Sequence, residues 1–164
     1  MSVTLGIDLA CRTPHVATLA DELGRLVWSG RTFWTRAGDL QDLWEDLDCN
    51  PAELTVVMEP TRNAWAPVAE WFNRRGAKVV LVPTTQSADL RDYYSKHTKN
   101  DRLDSVVLAR LPLLHPEGLR AHVGQGPGDP LRRATKQRSW IMKRRAAIFA
   151  RIDALLELAG PGLV

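Results

Sequence analysis

Three short apolar segments separated by polar turns occupy the first 33 residues. Their patterns predict strands at residues 4–10, 16–19 and 25–33, with Asp21 to Gly24 as the turn between the last two. Short strands joined by tight turns are typical of an antiparallel meander. The chain is therefore predicted to begin as a three-stranded antiparallel sheet.

The period of the apolar positions then changes from two to between three and four. Leu40, Leu43 and Leu47 predict a helix capped by Asp39. Further helices are predicted at residues 64–75, 86–94 and 101–114, and apolar strands at residues 54–58 and 78–82. Helices that alternate with apolar strands favour parallel pairing through right-handed crossovers. The predicted fold is α/β, with a mixed five-stranded sheet and flanking helices, as in the ribonuclease H-like (RuvC-like) fold.

The C-terminal part of the chain has a different organisation. A first domain at residues 1–115 is followed by a linker rich in glycine and proline at residues 116–128, and then by one long helix at residues 129–160. Asp129 is the predicted cap of this helix, with Pro130 at its first position, and Gly160 is its predicted end. A seam with spacings of three and four runs along it: Ala134, Arg138, Ile141, Arg145, Ile148, Ile152, Leu155 and Ala159. Such a seam predicts a coiled coil with another chain, hence a homo-oligomer.

Charge is distributed unevenly along the chain, whose net charge is +3. Residues 131–151 contain no acid and eight basic residues: Arg132, Arg133, Lys136, Arg138, Lys143, Arg144, Arg145 and Arg151. The other 143 residues carry 14 basic and 19 acidic side chains. A basic segment joined to an acidic body indicates a polyanionic partner, and nucleic acid is favoured over a membrane surface.

Several classes of protein are excluded by composition. Hydrophobic residues make up 45% of the chain and charged residues 25%, which excludes a disordered chain. Two cysteines without a CxxC pair exclude a disulfide framework. The longest strongly apolar runs, such as residues 79–82, are too short for a bilayer, and Asp8 interrupts the first apolar stretch of a would-be signal peptide. A soluble, cytosolic protein without a membrane partner is expected.

Four acidic residues occupy positions that the predicted topology brings together. Asp8 lies in the first strand and Glu59 at the end of the fourth, while Asp101 and Asp104 lie on one face of a later helix. Each alone also fits a turn or a helix-dipole role. Together they predict a carboxylate site for Mg²⁺ or Mn²⁺, which prefer oxygen ligands. Two such ions about 4 Å apart support phosphodiester chemistry, so these four residues are the candidate catalytic and metal-binding residues.

The same acids stand in motifs that resemble a known family. The motifs are Gly-Ile-Asp-Leu-Ala at residues 6–10, Glu-Pro-Thr at 59–61, Val-Val-Leu-Val-Pro at 79–83, Lys-Asn-Asp-Arg-Leu-Asp at 99–104 and Leu-Ala-Arg-Leu at 108–111. Over about residues 3–115 the chain resembles the N-terminal RuvC-like domain of the DEDD transposases of the insertion-sequence-110 family. The resemblance implies metal-dependent DNA cleavage and exchange, with DNA and a guide (bridge) RNA as partners.

Three departures from the family pattern are visible. Arg62 stands where the family often has glycine, and Ser105 where it often has alanine. The family also carries a C-terminal domain with a nucleophilic serine, and Val164 falls where that domain would begin. The chain is therefore expected to be an N-terminal fragment that binds metal and nucleic acid without transferring strands.

Basic residues near the acids are candidates for phosphate contacts. Arg62, Lys96 and Lys99 are predicted to bind nucleic acid together with the basic residues of the long helix, although a solvated loop or a helix cap explains these three equally well. Two other functions stay open at this point. One is a stand-alone nuclease like the Holliday-junction resolvases, and the other is a nucleic-acid-binding module with a structural ion.

Overall fold

A five-stranded mixed sheet forms the centre of the protein. The computed structural model describes residues 2–83, 101–117, 119, 121–122 and 128–160, without the side chains of residues 101, 102 and 129. The strands are β1 (Val3–Asp8), β2 (His15–Ala20), β3 (Leu26–Phe33), β4 (Leu54–Met58) and β5 (Lys78–Leu81). Their order in the sheet is β3-β2-β1-β4-β5, antiparallel from β1 to β3 and parallel from β1 through β4 to β5. The predicted mixed sheet is confirmed.

Four helices accompany the sheet in the described part of the chain. They are α1 (Ala37–Glu45), α2 (Trp65–Asn73), α3 (Asp101–Leu114) and α4 (Asp129–Ala159), and a short 3₁₀ turn at Pro51–Glu53 leads into β4. The predicted helix at residues 86–94 lies outside the described residues. No helix among the residues that the structure describes is long and apolar enough to cross a membrane.

Two predicted helix starts are wrong in detail. Asp39 does not cap α1; it lies in the first turn, and its carboxylate accepts a hydrogen bond of 2.8 Å from the backbone N–H of Trp34. Gly128, and not Asp129, is the N-cap of α4. In both cases the aspartate already has helical backbone, so the cap position falls on an earlier residue.

The two faces of the sheet bury different sets of side chains. One face carries Leu5, Ile7, Val56 and Met58, which pack with apolar residues of α1 and α2 in the larger core cluster. The other face carries Val57 and Val80 of β4 and β5. These two valines pack against apolar residues of α3, namely Val107, Leu108 and Leu111. Because successive side chains of a strand point to opposite faces, each strand is divided between the two cores.

Helix α3 lies unusually close to β1. A Cβ atom built on Gly6 would be 2.3 Å from both the carbonyl oxygen of Ser105 and the backbone nitrogen of Ala109. Next to this contact, the hydroxyl groups of Thr18 and Ser105 share a buried hydrogen bond of 2.8 Å. The serine that departs from the family pattern is therefore accommodated by a hydroxyl group on β2.

The chain divides into two compact units, residues 1–124 and residues 125–164. The first unit contains the sheet and helices α1 to α3. The second unit contains α4, a single helix of 31 residues. Large apolar side chains are exposed along α4, among them Trp140, Ile148 and Leu155.

Candidate active site

Asp8 and Glu59 lie at the carboxyl ends of two neighbouring parallel strands. Strand β1 ends at Asp8, two residues earlier than predicted, and Glu59 directly follows β4. Ile7 is opposite Met58, so Asp8 and Glu59 are the next pair along the two chains. Ile7 and Met58 belong to the core under α1 and α2. The alternation of side chains therefore assigns both carboxylates to the face that α3 covers.

Helix α3 runs antiparallel to β1 and brings its first turn toward the same end of the sheet. Its later residue Arg110 donates a hydrogen bond of 3.1 Å from Nε to the carbonyl of Gly24, in the turn at the opposite end. Ser105 lies against Gly6 in the middle of β1. Asp104 is thus one residue closer than Ser105 to the end that holds Asp8. Asp101 begins the helix, about 4.5 Å further along its axis at about 1.5 Å per residue.

The donor chemistry of these residues fits a hard divalent cation. Carboxylate oxygens are the ligands that Mg²⁺ and Mn²⁺ prefer. The backbone positions of Asp8, Glu59 and Asp104 all lie toward the carboxyl ends of β1 and β4. Glu59 is buried, with 8% of its surface exposed, while Asp8 and Asp104 are half-buried. Among the side chains that the structure describes, no three His, Cys, Asp or Glu residues form a ready metal cluster. The side chain of Asp101 lies outside that description.

The turn after β4 places Arg62 in an uncommon backbone conformation. The N–H of Thr61 donates to the carbonyl of Glu59 at 2.7 Å, and the N–H of Ala64 donates to the carbonyl of Thr61 at 3.1 Å. Between them Arg62 has φ of 48°, in the left-handed region that disfavours residues with a Cβ atom. The turn has the geometry that suits the family's usual glycine, and this chain holds an exposed arginine in it. Lys96 and Lys99 lie outside the described residues.

A cleft of about 480 Å³ opens at the same end of the sheet, and sequence reasoning missed it. We call it the strand-end cleft. Its lining comes from the segments that follow β1, β3 and β4 and from the first residue of β2: Ala10, Cys11, His15, Trp34, Thr35, Arg36, Arg62, Asn63 and Ala64. No local motif marks it, because the pairing of β3 with β2 and of β2 with β1 brings these segments together.

His15 fixes the wall of this cleft through both ring nitrogens. The backbone N–H of Ala10 donates to Nδ1 at 3.1 Å, so Nδ1 carries no proton and Nε2–H donates to the Thr35 hydroxyl at 2.6 Å. The ring also packs edge-on against Phe33, with 5.1 Å between centroids. Burial lowers the pKa of His15 from its ordinary value of 6.5. The neutral ring therefore joins the ends of β1 and β3.

The pH dependence of stability is expected to report this neutral histidine. Because the folded-state pKa of His15 lies below the unfolded value of 6.5, the unfolded chain takes up its proton first. Stability due to His15 is thus complete above pH 6.5 and falls as the pH drops below it. Urea unfolding between pH 5 and about 7.5 should show a steeper loss in the wild type than in His15→Gln. Parallel pH profiles would contradict a neutral buried ring, since the other histidines are common to both proteins.

Every basic side chain of α4 is exposed. Successive residues of an α-helix are rotated by about 100° around its axis. Six of the eight basic residues therefore project within one arc of about 120° around α4: Arg132, Arg133, Lys136, Lys143, Arg144 and Arg151. The guanidinium of Arg144 lies 4.5 Å from the ring centre of Trp140, and that of Arg145 lies 5.3 Å from Phe149. One side of α4 therefore presents a continuous positive charge.

The sheet order and the position of α3 define a ribonuclease H-like fold. This fold is similar to that of T. thermophilus RuvC, whose structure was solved in complex with a Holliday junction substrate. The TM-score is 0.52 at 11% sequence identity, over 74% of this chain and 100% of that chain. Residues 5–161 match the transposase family of DEDD, insertion-sequence-110 type, and the chain belongs to that family. No curated protein matches the chain.

Proposed function

We propose that this chain carries the metal-dependent catalytic domain of an RNA-guided DNA recombinase. The site would hold two Mg²⁺ or Mn²⁺ ions, with the carboxylates of Asp8, Glu59, Asp101 and Asp104 as ligands. Bound there, the ions would supply charge stabilisation to a phosphodiester and an activated oxygen nucleophile. Membership of the transposase family supports action on DNA. The guide RNA rests on the resemblance of the motifs, and action on bacterial DNA puts the protein in the cytosol with the nucleoid.

One observation carries the catalytic part of the proposal. Strands β1 and β4 are parallel neighbours in register, with Asp8 as the last residue of β1 and Glu59 directly after β4. Helix α3 crosses the same face and contributes Asp104 near this end. Like charges so arranged are costly unless cations or hydrogen-bond donors compensate them. The convergence of these backbone positions on one end of the sheet supports a shared role for the acids.

The test of the metal part is stabilisation of the fold by divalent cations. Mg²⁺ or Mn²⁺ should raise the melting temperature of the wild type, because a ligand that binds the folded state stabilises it by mass action. Glu59→Gln should lose this response, since it removes a charged ligand at the centre of the site. Wild-type protein whose melting temperature is unaffected by either ion would overturn the metal site.

Nucleic-acid binding through α4 predicts a strong dependence on salt. Each phosphate neutralised by lysine or arginine adds about 0.9 to the salt slope on duplex DNA and about 0.7 on single strands. Reversal of Lys143 and Arg144, both on the basic side of α4, to glutamate should therefore weaken binding to all sequences and lower the slope by about 1.8 on duplex DNA. Fluorescence anisotropy over a range of salt concentrations measures both quantities.

A control with the same change in net charge isolates the role of α4. Arg25→Glu with Arg74→Glu reverses two exposed arginines in the first unit, and should change the slope much less. Equal losses in the two double variants would mean that net charge, and not the basic side of α4, determines binding.

The other side of α4 is proposed to pair with a second copy of the chain. Ile141, Ile148, Ile152 and Leu155 lie within about 60° of the helix surface, and between 44% and 60% of each side chain is exposed. The seam alternates spacings of four and three residues, which is the average period of 3.5 that coiled coils require. Arg138 and Arg145 also fall on this seam, where a polar residue sets register at a cost in stability.

Loss of two seam residues should separate the chains. Ile148→Asp with Leu155→Asp places charge in the proposed interface, and light scattering should then report a lower mass than for the wild type. Trp140→Asp with Leu158→Asp changes two exposed apolar residues outside the seam and is the matched control. A mass that stays the same in the seam variant would contradict pairing through this side of α4.

Two alternative functions differ from the proposal in measurable ways. A stand-alone junction nuclease would cleave branched DNA as this chain alone. A binding module with a structural ion would retain its affinity for nucleic acid after loss of all four acids, and would cleave nothing. For an RNA-guided recombinase we expect the carboxylates to be required for chemistry and the basic side of α4 for affinity.

A further inference from the structure

We infer that the strand-end cleft binds a nucleotide of a single strand, with its phosphate between Arg36 and Arg62 and its base on Trp34. This inference rests on the proposed function, because it gives the strand that reaches the carboxylates a defined binding site. It adds a binding site to the first unit that is separate from the basic side of α4. Four observations support it.

The first observation is charge. Among the residues that line the cleft, Arg36 and Arg62 are cationic and none is acidic. The rest of the chain outside residues 131–151 carries more acidic than basic residues. A cationic cleft within an acidic body concentrates anions locally. Planar guanidinium groups with several N–H donors suit the oxygens of a phosphate.

The second observation is the aromatic side chain at the same place. Trp34 is 37% exposed, and the guanidinium of Arg36 lies 5.6 Å from its ring centre. An exposed indole next to arginine is a typical stacking surface for a nucleobase in single-stranded nucleic acid. A duplex keeps its bases stacked inside, so this combination of phosphate and base contacts favours a single strand.

The third observation is proximity to the carboxylates. Ala10 follows Asp8 by two residues, and Arg62 follows Glu59 by three. At about 3.6 Å or less per residue, these Cα atoms lie at most about 7 Å and 11 Å from those of the acids. The cleft therefore lies at the same end of the sheet as the carboxylates.

The fourth observation is that the cleft is held in shape by a buried group. His15, which is 3% exposed, bonds the backbone of Ala10 and the hydroxyl of Thr35 and so ties two walls together. Arg62 keeps a left-handed backbone that glycine would adopt at lower cost. The arginine side chain lines the cleft, and a role in binding explains why the chain keeps arginine at this strained position.

The experiment measures the affinity of the full chain for labelled oligothymidine, oligouridine and a duplex of equal length, at one salt concentration. Trp34→Ala should weaken binding of the single strands about fivefold or more, as expected for loss of base stacking, and leave duplex binding unchanged. Arg36→Gln and Arg62→Gly should also weaken single-strand binding. Arg25→Gln, at the opposite end of the sheet, is the matched control and should bind as the wild type.

Arg62→Gly separates a loss of binding from a loss of folding. Glycine accepts the positive φ without a Cβ clash, so the melting temperature of this variant should equal or exceed that of the wild type while its affinity falls. NMR provides direct evidence. The wild-type indole N–H signal that is absent from the spectrum of Trp34→Ala belongs to Trp34, and this signal should shift when oligothymidine is added to the wild type.

A tighter complex with oligothymidine assigns the cleft to DNA, and one with oligouridine assigns it to RNA.

Single-strand affinity that is the same in all three cleft variants would overturn the inference, as would equal losses for single strands and duplex. The response to Mg²⁺ in the same variants distinguishes this failure from failure of the proposed function. If the cleft variants keep both the metal response and wild-type affinity, the cleft inference is wrong and the proposed function is unaffected. If the wild type shows no metal response but its cleft variants still lose single-strand affinity, the proposed function is wrong and the cleft inference is supported.

Discussion

Gly6→Ala is expected to destabilise the first unit by about 3 kcal/mol or more. Overpacking a core commonly costs about 1–3 kcal/mol, and here the added methyl group meets backbone atoms that cannot rotate away. Its Cβ atom would be 2.3 Å from the carbonyl of Ser105 and from the nitrogen of Ala109. Helix α3 would have to move away from β1 as a whole. Urea unfolding followed by circular dichroism measures the change in the free energy of unfolding.

Gly38 provides the matched control. It lies in the first turn of α1, and a Cβ atom built there has no neighbour within 4 Å. Gly38→Ala should therefore be neutral or stabilise by up to about 1 kcal/mol, because alanine has the higher helix propensity. If Gly6→Ala were as well tolerated as Gly38→Ala, the close contact between α3 and β1 would be wrong. The position proposed for Asp104 relative to Asp8 would then be wrong as well.

Asp8→Asn is expected to abolish the stabilisation that divalent cations give the wild type. At a cation concentration about 100 times the dissociation constant, binding to the folded state contributes about 2.7 kcal/mol. For a chain of this size that corresponds to a rise of about 5–10 °C in melting temperature. Asparagine keeps the shape of the side chain and removes the charge, so the rise should disappear. Thermal melts with and without Mn²⁺ measure it.

Asp42→Asn is the control for this change. Asp42 is exposed on α1, the helix that covers the opposite face of the sheet, and its loss should leave the rise unchanged. A rise that survives in Asp8→Asn but disappears in Asp42→Asn would assign the metal to another part of the surface. Comparing each variant with itself, with and without the ion, removes the direct effect of the substitution on stability.

Two of the three departures from the family pattern, Ser105 and Arg62, have explanations in the folded structure. Ser105 is fully buried, and its hydroxyl meets that of Thr18, so a polar group at this position does not remain without a hydrogen-bond partner. Arg62 occupies a turn position with a left-handed backbone conformation, and it lines the strand-end cleft. The resemblance to the family's motifs marks both positions as unusual. Their neighbours are far away in the chain and become visible in the folded protein.

The sequence by itself determined the elements and their order. The strand at Leu54–Met58 and the helix at Asp101–Leu114 were predicted with their observed bounds, because apolar periodicity is a local property. The long helix was predicted to within one residue at its end, where Gly160 is the stop signal. The alternation of strands and helices was enough to predict a mixed five-stranded sheet of ribonuclease H-like topology, in which the first and fourth strands are adjacent, because handedness leaves few ways to connect them. Asp8 and Glu59 were therefore predicted at neighbouring strand ends.

The tertiary structure alone decided which distant segments come into contact. The strand-end cleft takes residues from four places in the chain, and the depth at which α3 packs depends on the missing side chain of Gly6. The helix starts at Asp39 and Asp129 were misplaced because several nearby residues are acceptable caps, and the surrounding packing selects one. Periodicity records which face of an element is apolar. Which residues meet across two faces is determined by the shapes that pack there, and these are not local in the sequence.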